Sequence, residues 1–503
     1  MHSEIQEFYK NKTIFLTGAS GFLGRVIVEK LLRATEVSRI YVLLRPKREK
    51  NTQERLEVWK TDPLFGLLLK TKPNVLDRVV CISGDCNAPD LGISLEDLKL
   101  LKKETQVVIH SAATVNFAEP LHVALDTNTR ATHLMLQLSK EMGRLVAFVH
   151  VSTAFSNCVI HHITERYYPG HLSCSVDKVL KVREMCDNNL IDSMAPALLD
   201  KFPNTYTYTK ALAEQLVQTE AANLPVCIFR PGSIVATSME PMPGWIDNIY
   251  GPIAMVYGAA FGVLRVAPIS GKAIANIVPV DFCANIILAS AWKTAKETAG
   301  RSPQTRTSLP PTIYNYVPNE KNLITNDDFT DYVDRHRYIF PLRKAIWYPY
   351  LISFSIQWVF KLAAIFYHLI PGYLIDFGLW AQGKKTRMIK MYSKIHKTMD
   401  ALSPFSTKNW SFETANTDRL WQSLSPVDKK LFDFDMKSLS WDAYFIRALA
   451  GMRIYLGKED PSEESLELGK KHMQRLHVLH RVLQFSICCG VVATAKWLHS
   501  LFL

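Results

Sequence analysis

The stretch that decides the fold is TIFLTGASGFLG, residues 13–24, close to the N-terminus. Thr13–Thr17 is a short apolar run typical of a buried strand, and a glycine-rich turn follows it. From Phe22 to Arg33 the apolar residues recur with helical spacing, and Ile40–Leu44 is a second apolar, β-branched run. A strand, a helix and a strand in this order predict the start of a parallel sheet covered by helices.

The same alternation continues to about residue 300. Further apolar runs of strand length are Val79–Ile82, Val107–His110, Ala147–Val151 and Val226–Phe229. We therefore predict an α/β fold over residues 1–300, a doubly wound parallel sheet of Rossmann type. The polar, proline-bearing stretch 296–311 is expected to be a loop or domain edge.

The remaining chain is predicted to form three further parts. Residues 301–389 form a linker and an apolar region, 390–465 a helical C-terminal domain, and 476–503 a hydrophobic tail. The composition, 48% hydrophobic and 21% charged, argues against disorder and against a polytopic membrane protein. The net charge of +12 suits an anionic ligand, a nucleotide or an acidic membrane surface, or serves only solubility.

Other functional classes are disfavoured by pattern. No arginine-rich patch with interleaved aromatics indicates a nucleic acid partner. The nine cysteines form no CxxC pairs, and no His/Cys cluster has zinc-ligand spacing, so no metal is expected. The charged N-terminus lacks the apolar region of a secretory signal, which predicts a body that faces the cytosol.

The turn after the first strand has a spacing suited to a dinucleotide. Gly18, Gly21 and Gly24 follow G-x-x-G-x-x-G between a strand and a helix. Glycine permits a tight turn and a close approach to a pyrophosphate, which the helix N-terminus can bind. The alternative is a purely structural turn. Arg45 follows the second strand where NAD enzymes usually carry an acidic residue, so we expect it to contact the 2′-phosphate of NADPH; the alternative is a solvated basic loop with Lys47 and Arg48.

Hydroxyl and amine groups follow later in the chain. Ser152 and Thr153 come at the carboxyl end of a predicted strand, where ligands of open α/β sheets bind. Tyr206 and Lys210 are spaced i, i+4, so on a helix they share a face, whereas Tyr208 points away and is expected to pack. A lysine ammonium one turn away is expected to lower the pKa of the tyrosine and to support proton transfer.

These motifs carry a resemblance to a known family. The N-terminal portion resembles the extended short-chain dehydrogenase/reductases in TGASGFLG, in GD at Gly84–Asp85 and in RPGSI. More narrowly, the chain looks like a fatty acyl-CoA reductase in HSAATVNF (110–117), VSTAFSN (151–157) and PNTYTYTKALAE (203–214). Two C-terminal stretches, NWSFETANTDRLWQSLSPVDKKLF and FDMKSLSWDAYFIRALAGMRIYLGKED, resemble that family's C-terminal domain.

The resemblance implies roles for individual residues. Tyr206 is the implied proton donor, Lys210 its partner, and Thr153 the hydroxyl member of the triad, with Ser152 as the less favoured neighbour. The implied cofactor-binding residues are Gly18, Ser20, Gly21, Phe22, Leu23 and Gly24 at the phosphates, Arg45 at the 2′-phosphate, Asp85 and Cys86 at the adenine, Ala112 and Ala113 along the cofactor, and Pro231, Gly232 and Ser233 near the nicotinamide.

The implied activity is the NADPH-dependent reduction of long-chain fatty acyl-CoA to a primary alcohol, through an enzyme-bound aldehyde and with release of CoA. One alternative is a reductase or isomerase of the same superfamily that acts on a sterol, a nucleotide sugar or another lipid. The other is a membrane-associated NADPH-binding protein without turnover, whose cofactor binding would yield no product.

Two apolar stretches predict membrane association. A spanning helix needs about 20 mostly apolar residues. Ala345–Ile375 is interrupted by Lys361, His368 and Pro371, so we expect interfacial helices or a wall for the acyl chain. The apolar tail core Val482–Ala495 is expected to be a C-terminal anchor at the endoplasmic reticulum or peroxisome surface; the alternative is a helix docked on the protein. The long insertion between Thr153 and Tyr206 is either a lid over the substrate or a surface elaboration.

Overall fold

The computed structural model describes residues 2–46, 52–299 and 310–501. Its chain divides into two compact units, which are interleaved in sequence. The first unit comprises the chain up to Pro243, Ile274–Ile324 and Lys408–Leu439. The second comprises Gly244–Ala273, Thr325–Thr407 and the chain from Ser440. The four consecutive parts predicted from the sequence remain a prediction.

A seven-stranded parallel sheet forms the centre of the first unit. The strands of this unit are β1 (Thr13–Thr17), β2 (Arg39–Leu44), β3 (Val79–Ser83), β4 (Val107–His110), β5 (Ala147–Val151), β6 (His162–Ile163), β7 (Val226–Pro231), β8 (Ser233–Val235), β10 (Ile277–Pro279), β11 (Thr312–Tyr316) and β13 (Ser411–Phe412); β9 (Val266–Ala267) and β12 (Ile352–Ser353) belong to the second unit. The spatial order of the seven-stranded sheet is β11-β7-β5-β4-β1-β2-β3, so the strand order reverses between β1 and β4.

The predicted doubly wound sheet is confirmed, with its strand positions right to within one or two residues. All residues of β1, β4 and β5 are buried, because helices cover both faces of a parallel sheet. β11 was not predicted, since it lies in the stretch assigned to the linker. Residues 300–309 of the predicted loop lie outside the described residues.

Helices pack on both faces of this sheet. Phe22–Ala34 and Val280–Thr298 pack against each other, and Thr205–Glu220 packs on Ala131–Lys140. The α-helices of the first unit are Glu4–Tyr9, Phe22–Ala34, Thr52–Glu57, Gly66–Thr71, Leu95–Glu104, Leu121–Ala124, Ala131–Lys140, Val176–Met185, Asn188–Ser193, Ala195–Leu199, Thr205–Glu220, Val280–Thr298, Ala415–Gln422 and Pro426–Leu431, with a π-helical segment at Leu125–Arg130.

The helix Thr205–Glu220 begins where a side chain caps it. The Asn204 carboxamide oxygen accepts the backbone N–H of Thr207 at 2.9 Å. Leu212 and Leu216 on this helix are fully buried among side chains of the sheet. The cap and this apolar face fix the direction in which the other residues of the helix project.

The insertion between Thr153 and Tyr206 packs into the first unit. Val179, Ile191 and Leu198 of its helices belong to the same apolar cluster as the sheet. β6 of the insertion pairs in parallel with β13. A lid over the substrate and a surface elaboration both stay predictions for this insertion.

Glu165 joins the insertion to two other segments. Its carboxylate accepts the backbone N–H of Asn416 at 2.7 Å and that of Asn315 in β11 at 3.2 Å. Burial raises the pKa of Glu165 to about 7, in spite of these hydrogen bonds.

The second unit carries two long apolar helices. The helical run Gln357–Ala381 and the helix Glu463–Leu501 are long and apolar enough to cross a membrane. The first run packs against Met388–Thr407 and consists of two α-helical parts joined by a π-helical segment. The α-helices of this unit are Gly251–Ala260, Asn326–His336, Gln357–Ala364, Ile370–Ala381, Met388–Thr407, Trp441–Gly451 and Glu463–Leu501, with π-helical segments at Ile365–Leu369 and Met452–Leu456.

Glu165 is predicted to make stability fall as the pH rises. Its folded pKa lies above the unfolded value, so the folded protein binds the proton more readily, and the free energy of unfolding decreases between pH 4.5 and about pH 7. The Glu165→Gln variant lacks this contribution, so its melting temperature should fall less over the same interval. Thermal melts across this range compare the slopes, with exposed Glu184→Gln as the control that keeps the wild-type slope. Equal slopes for Glu165→Gln and wild type would contradict the prediction.

Candidate active site

The glycine-rich turn lies between β1 and the helix Phe22–Ala34. Gly18 has a φ of +76°, and a Cβ atom there would lie 2.8 Å from a backbone nitrogen of the segment after β4. A Cβ atom on Gly24 would lie 2.2 Å from the carbonyl oxygen of Gly18, so only glycine lets the helix pack this close. Gly21 is the N-cap and makes no side-chain cap, and a helix N-terminus after such a turn can bind a pyrophosphate. The turn therefore fits a dinucleotide.

Buried hydrogen bonds hold the segment after β4 against this turn. Thr17 Oγ1 accepts the backbone N–H of Ala112 at 3.1 Å and lies 2.8 Å from His110 Nδ1. Burial lowers the pKa of His110 to about 3, so its ring is neutral at pH 7. Ala112 and Ala113 thus pass beside Gly18 at the point where the strand order reverses, which is where doubly wound sheets bind ligands.

The residues predicted for the adenine end lie near the end of β2. A guanidinium nitrogen of Arg45 is 3.8 Å from a carboxylate oxygen of Asp85. Asp85 follows β3, the edge strand that pairs with β2. Burial raises the pKa of the Cys86 thiol to about 11, so this neighbour of Asp85 is uncharged. Lys47 and Arg48 lie outside the described residues.

Arg55 is a residue of this region that the sequence analysis missed. Its guanidinium donates to the carbonyl oxygen of Arg45 at 2.7 Å and to the Ser20 hydroxyl at 3.1 Å. A second cation therefore lies between the glycine turn and Arg45. The available signal was one more basic residue ten positions after Arg45, which does not show by itself that the chain turns back.

Tyr206, Lys210 and Thr153 meet at the carboxyl end of β5. Tyr206 and Lys210 lie one turn apart on the helix Thr205–Glu220. Lys210 Nζ donates to the carbonyl oxygen of Val151, the last residue of β5, at 2.7 Å. Thr153 follows two residues later, and its side chain lies near enough to Tyr206 to oppose the rise in the pKa of the phenol. The three residues predicted from separate motifs are thus neighbours.

The predicted lowering of the Tyr206 pKa is wrong. Burial raises the pKa of Tyr206 to about 12, and the side chain of Thr153 opposes this only in part. Burial lowers the pKa of Lys210 to about 8, while the charge of Glu214 opposes that shift. Removing the phenol from water outweighs the influence of its neighbours. Tyr206 is therefore protonated at pH 7, which is the state a proton donor needs.

Ser152 and Thr153 face different partners. The Ser152 hydroxyl donates to Glu214 Oε1 at 2.5 Å. Glu214 also forms a buried ion pair with Arg230, whose Nε and Nη2 lie 2.9 and 2.6 Å from its two carboxylate oxygens. The Ser152 hydroxyl is therefore bound to this ion pair, whereas Thr153 adjoins Tyr206.

The segment after β7 is held at the same edge of the sheet. Pro231 is the last residue of β7, and the backbone N–H of Gly232 donates to the carbonyl oxygen of Tyr316 in β11 at 2.8 Å. Ser233 donates its backbone N–H to the carbonyl oxygen of Asn276 at 2.7 Å. Since β1, β4, β5 and β7 are parallel, their predicted ligand-binding ends share one edge.

Two further residues adjoin the Tyr206 helix and were also missed. Phe117 stacks on Tyr206, with ring centroids 5.4 Å apart. Asn128 lies in the π-helical segment, donates to the Thr209 hydroxyl at 3.0 Å and accepts the backbone N–H of Thr114 at 2.9 Å. π-Helical turns are frequent at functional sites, but neither residue belongs to a local spacing that reveals its contact.

Profiles of known families match both halves of the chain. An NAD-binding profile described as male sterility protein matches residues 16–287. A second profile with the same description matches residues 367–459. The first match covers more than half of the chain and includes the carboxyl ends of β1, β2, β3, β4, β5 and β7. A nicotinamide dinucleotide is therefore the cofactor class of this domain.

The chain is also similar to whole curated proteins along nearly its full length. The chain is 42% identical to "Fatty acyl-CoA reductase wat" of Drosophila melanogaster, over 98% of this chain and 92% of that protein. It is 36% identical to mouse fatty acyl-CoA reductase 2, over 96% of this chain and 92% of that protein.

Solved structures show the same fold at lower identity. The terminal R domain of the myxalamid PKS-NRPS pathway matches with a TM-score of 0.58 and 20% identity, over 90% of this chain and 93% of that one. A reductase domain of a nonribosomal peptide synthetase from Mycobacterium tuberculosis matches with a TM-score of 0.57 and 21% identity, over 89% and 93%. The level of identity to the curated proteins, held along nearly the whole chain, places this oxidoreductase in the fatty acyl-CoA reductase family.

Proposed function

We propose that the protein reduces long-chain fatty acyl-CoA to a primary alcohol with NADPH, through an enzyme-bound aldehyde and with release of CoA. The observation that carries the proposal is the meeting of Tyr206, Lys210 and Thr153 beside the dinucleotide-binding edge of the sheet. The names of the similar proteins support the substrate class.

The first reduction acts on the thioester carbonyl. When bound, the reduced nicotinamide supplies a hydride to the carbonyl carbon in each of the two reductions. Tyr206 and Thr153 donate hydrogen bonds to the oxygen, where negative charge develops, and thereby stabilise the transition state. The hemithioacetal then loses its C–S bond, the sulfur takes a proton and leaves as CoA, and an aldehyde remains.

The second reduction converts the aldehyde to the alcohol. The carbonyl oxygen becomes an alkoxide, which is a far stronger base than a phenolate, so the protonated Tyr206 can transfer its proton completely. Lys210, as an ammonium, stabilises the phenolate that is left. Phe117 stacks on the Tyr206 ring and restricts its orientation.

A preference for NADPH is proposed from the two arginines at the end of β2. The 2′-phosphate carries negative charge, and Arg45 and Arg55 bring two guanidinium groups to this region, with the Arg55 guanidinium bound to the backbone carbonyl oxygen of Arg45. Asp85 lies within ion-pair distance of Arg45 and is proposed to border the adenine with Cys86.

Membrane association is proposed through the two apolar helices of the second unit. On Gln357–Ala381, Trp358 and Trp380 are each 68% exposed and Phe377 is 65% exposed. The chain that follows carries Lys384, Lys385, Arg387, Lys390, Lys394 and Lys397 and no acidic residue before Asp400. Aromatic and apolar side chains beside a basic stretch suit an anionic bilayer surface.

The C-terminal helix Glu463–Leu501 is proposed to bind the same membrane as the helical run Gln357–Ala381. All residues of the apolar window in Glu463–Leu501 are exposed, which suits a helix that inserts into lipid. We propose that residues 301–389 and 476–503 hold the enzyme at a cytosol-facing membrane of the endoplasmic reticulum or peroxisome, and that 1–300 performs the chemistry. Such a membrane also holds the acyl chains of the substrate.

Tyr206→Phe is predicted to lower kcat for palmitoyl-CoA by about 100-fold or more, because the proton donor is lost while the ring and its stacking remain. The matched control is Tyr208→Phe on the same helix, since Tyr208 is fully buried and packs against Phe202. It should keep most of the activity. Alcohol formation by purified protein with NADPH, followed by mass spectrometry, measures both, and similar losses in the two variants would contradict the assignment.

Arg45→Ala and Arg55→Ala are each predicted to raise the KM for NADPH about tenfold, because each removes a charge from the 2′-phosphate site. The KM for NADH, which lacks this phosphate, should change little and serves as the internal control. Steady-state kinetics with both cofactors measures the ratio. Equal increases in the KM for NADPH and for NADH would show that the arginines do not bind the 2′-phosphate.

Trp358 and Trp380 are predicted to enter the lipid headgroup region. Vesicles of brominated phosphatidylcholine with phosphatidylserine should quench part of the tryptophan fluorescence of the wild-type protein. The double variant Trp358→Phe/Trp380→Phe should lose a share of that quenching, because it lacks the two indole fluorophores of this helix. Phenylalanine keeps an aromatic ring at both positions, so the contacts of the helix persist. Trp245→Phe, a residue 2% exposed, is the matched control and should leave the lipid-dependent quenching unchanged. Quenching by lipid that is the same in the double variant and the wild type would refute contact of this helix with the bilayer.

A further inference from the structure

A carboxylate lies behind the site on the same helix face as Tyr206 and Lys210. The three residues are spaced i, i+4 and i+8 on Thr205–Glu220, so Glu214 follows Lys210 by one helical turn. Glu214 is 3% exposed. The mechanism proposed above uses the first two residues and leaves Glu214 without a role.

Glu214 is held firmly by donors from two segments, the stretch that follows β5 and the strand β7. They are the Ser152 hydroxyl at 2.5 Å, the Ser156 hydroxyl at 2.8 Å, Asn157 Nδ2 at 3.4 Å, and Arg230 Nε and Nη2 at 2.9 and 2.6 Å. The carboxylate is therefore both paired with a guanidinium and hydrogen-bonded, although it is buried.

Lys210 needs such a partner. It is 3% exposed, and its ammonium has one hydrogen bond, to the carbonyl oxygen of Val151. Taking an ammonium out of water favours its neutral form, and burial lowers the pKa of Lys210 to about 8, whereas the charge of Glu214 raises it. Without Glu214 the balance would move further toward the neutral amine.

Other ionisable groups near Lys210 do not take this role. His110 and His150, on β4 and β5, are buried, and burial together with the Lys210 charge lowers the pKa of each, so both rings are neutral at pH 7. Tyr206 is a neutral phenol at that pH.

The charged groups on this helix and on the elements that pack against it have other partners than Lys210. Asp126 of the π-helical segment accepts two hydrogen bonds from Arg183, at 3.1 and 2.8 Å. Glu220, near the far end of the helix, lies 2.8 Å from His133. Arg230 of β7 is bound to Glu214 itself.

We infer that Glu214 is a positioning residue that keeps the buried Lys210 ammonium charged beside Tyr206, an assignment that rests on the proposed function. Ser152, Ser156 and Arg230 act through Glu214, because their hydrogen bonds hold its carboxylate in place. The two hydroxyl residues after β5 therefore have different roles. Thr153 adjoins Tyr206, and Ser152 donates a hydrogen bond to Glu214, the carboxylate one helical turn beyond Lys210.

The test must separate this role from plain stabilisation of the fold. Glu214→Gln removes the anion but leaves Arg230 buried and unpaired, which is strongly destabilising. The double variant Glu214→Gln/Arg230→Met removes both charges, so the fold no longer holds an unpaired cation while Lys210 still lacks its carboxylate. Glu220→Gln, on the same helix, is the matched control.

The first readout is the pKa of Lys210, followed by NMR of protein labelled with 13C at lysine Cε, with Lys210→Arg to assign the signal. We expect the pKa to fall by about one unit or more in Glu214→Gln and in the double variant, and to stay unchanged in Glu220→Gln. An unchanged pKa in either folded Glu214 variant would overturn the inference. So would a wild-type Lys210 that is neutral at pH 7, a result that needs no variant.

The second readout is the pH profile of kcat/KM. The charged lysine is the active form, so activity declines as the pH rises through its pKa, and a lowered pKa moves the decline to lower pH. We expect this displacement in the double variant even where its melting temperature equals that of the wild type. A stable double variant with the wild-type profile would overturn the inference. If the wild type does not reduce acyl-CoA, the proposed function fails, while the NMR measurement still decides whether Glu214 keeps Lys210 charged.

Discussion

The buried ion pair between Glu214 and Arg230 is the contact on which the site depends. It joins the helix Thr205–Glu220 to β7, and Arg230 also donates to carbonyl oxygens of the insertion at Thr164 and Arg166. An unpaired charge at this depth costs several kcal/mol, on the order of 3–5 kcal/mol when one partner is removed, so these segments must assemble together. The pair therefore places the helix that carries Tyr206 and Lys210 against the sheet.

Burial sets the charge state of each group around this pair. Tyr206 and His110 are held neutral and the pKa of Lys210 is lowered to about 8, because a low dielectric disfavours every charged form. A site of this kind holds a proton on a phenol until an oxygen of higher basicity is formed next to it. The same physics explains why local spacing alone misjudged the Tyr206 pKa: i, i+4 spacing reveals a cation nearby but not the depth at which both groups lie.

The second unit differs from the first because it exposes many large apolar side chains. In the first unit apolar side chains fill the space between the sheet and its helices. On Gln357–Ala381 a row of large aromatic and aliphatic side chains stays exposed instead, and basic residues follow it. A water-soluble surface rarely keeps such a row, because each exposed apolar group forgoes the free energy of leaving water. The proposed lipid contact accounts for both features.

The amino-acid sequence was sufficient to predict the α/β class, six strands of the sheet, the glycine-rich turn and the helix face that carries Tyr206 and Lys210. These features follow from local patterns, since strands covered on both faces read as apolar runs and helix faces repeat every three to four residues. Three features became visible only in the tertiary structure. Thr312–Tyr316 adds the seventh strand to the sheet, and the Arg55 side chain binds the backbone of Arg45. Ser152 hydrogen-bonds Glu214, whereas Thr153 adjoins Tyr206. Contacts between distant segments and the degree of burial decide these points, and neither is written in the spacing of neighbouring residues.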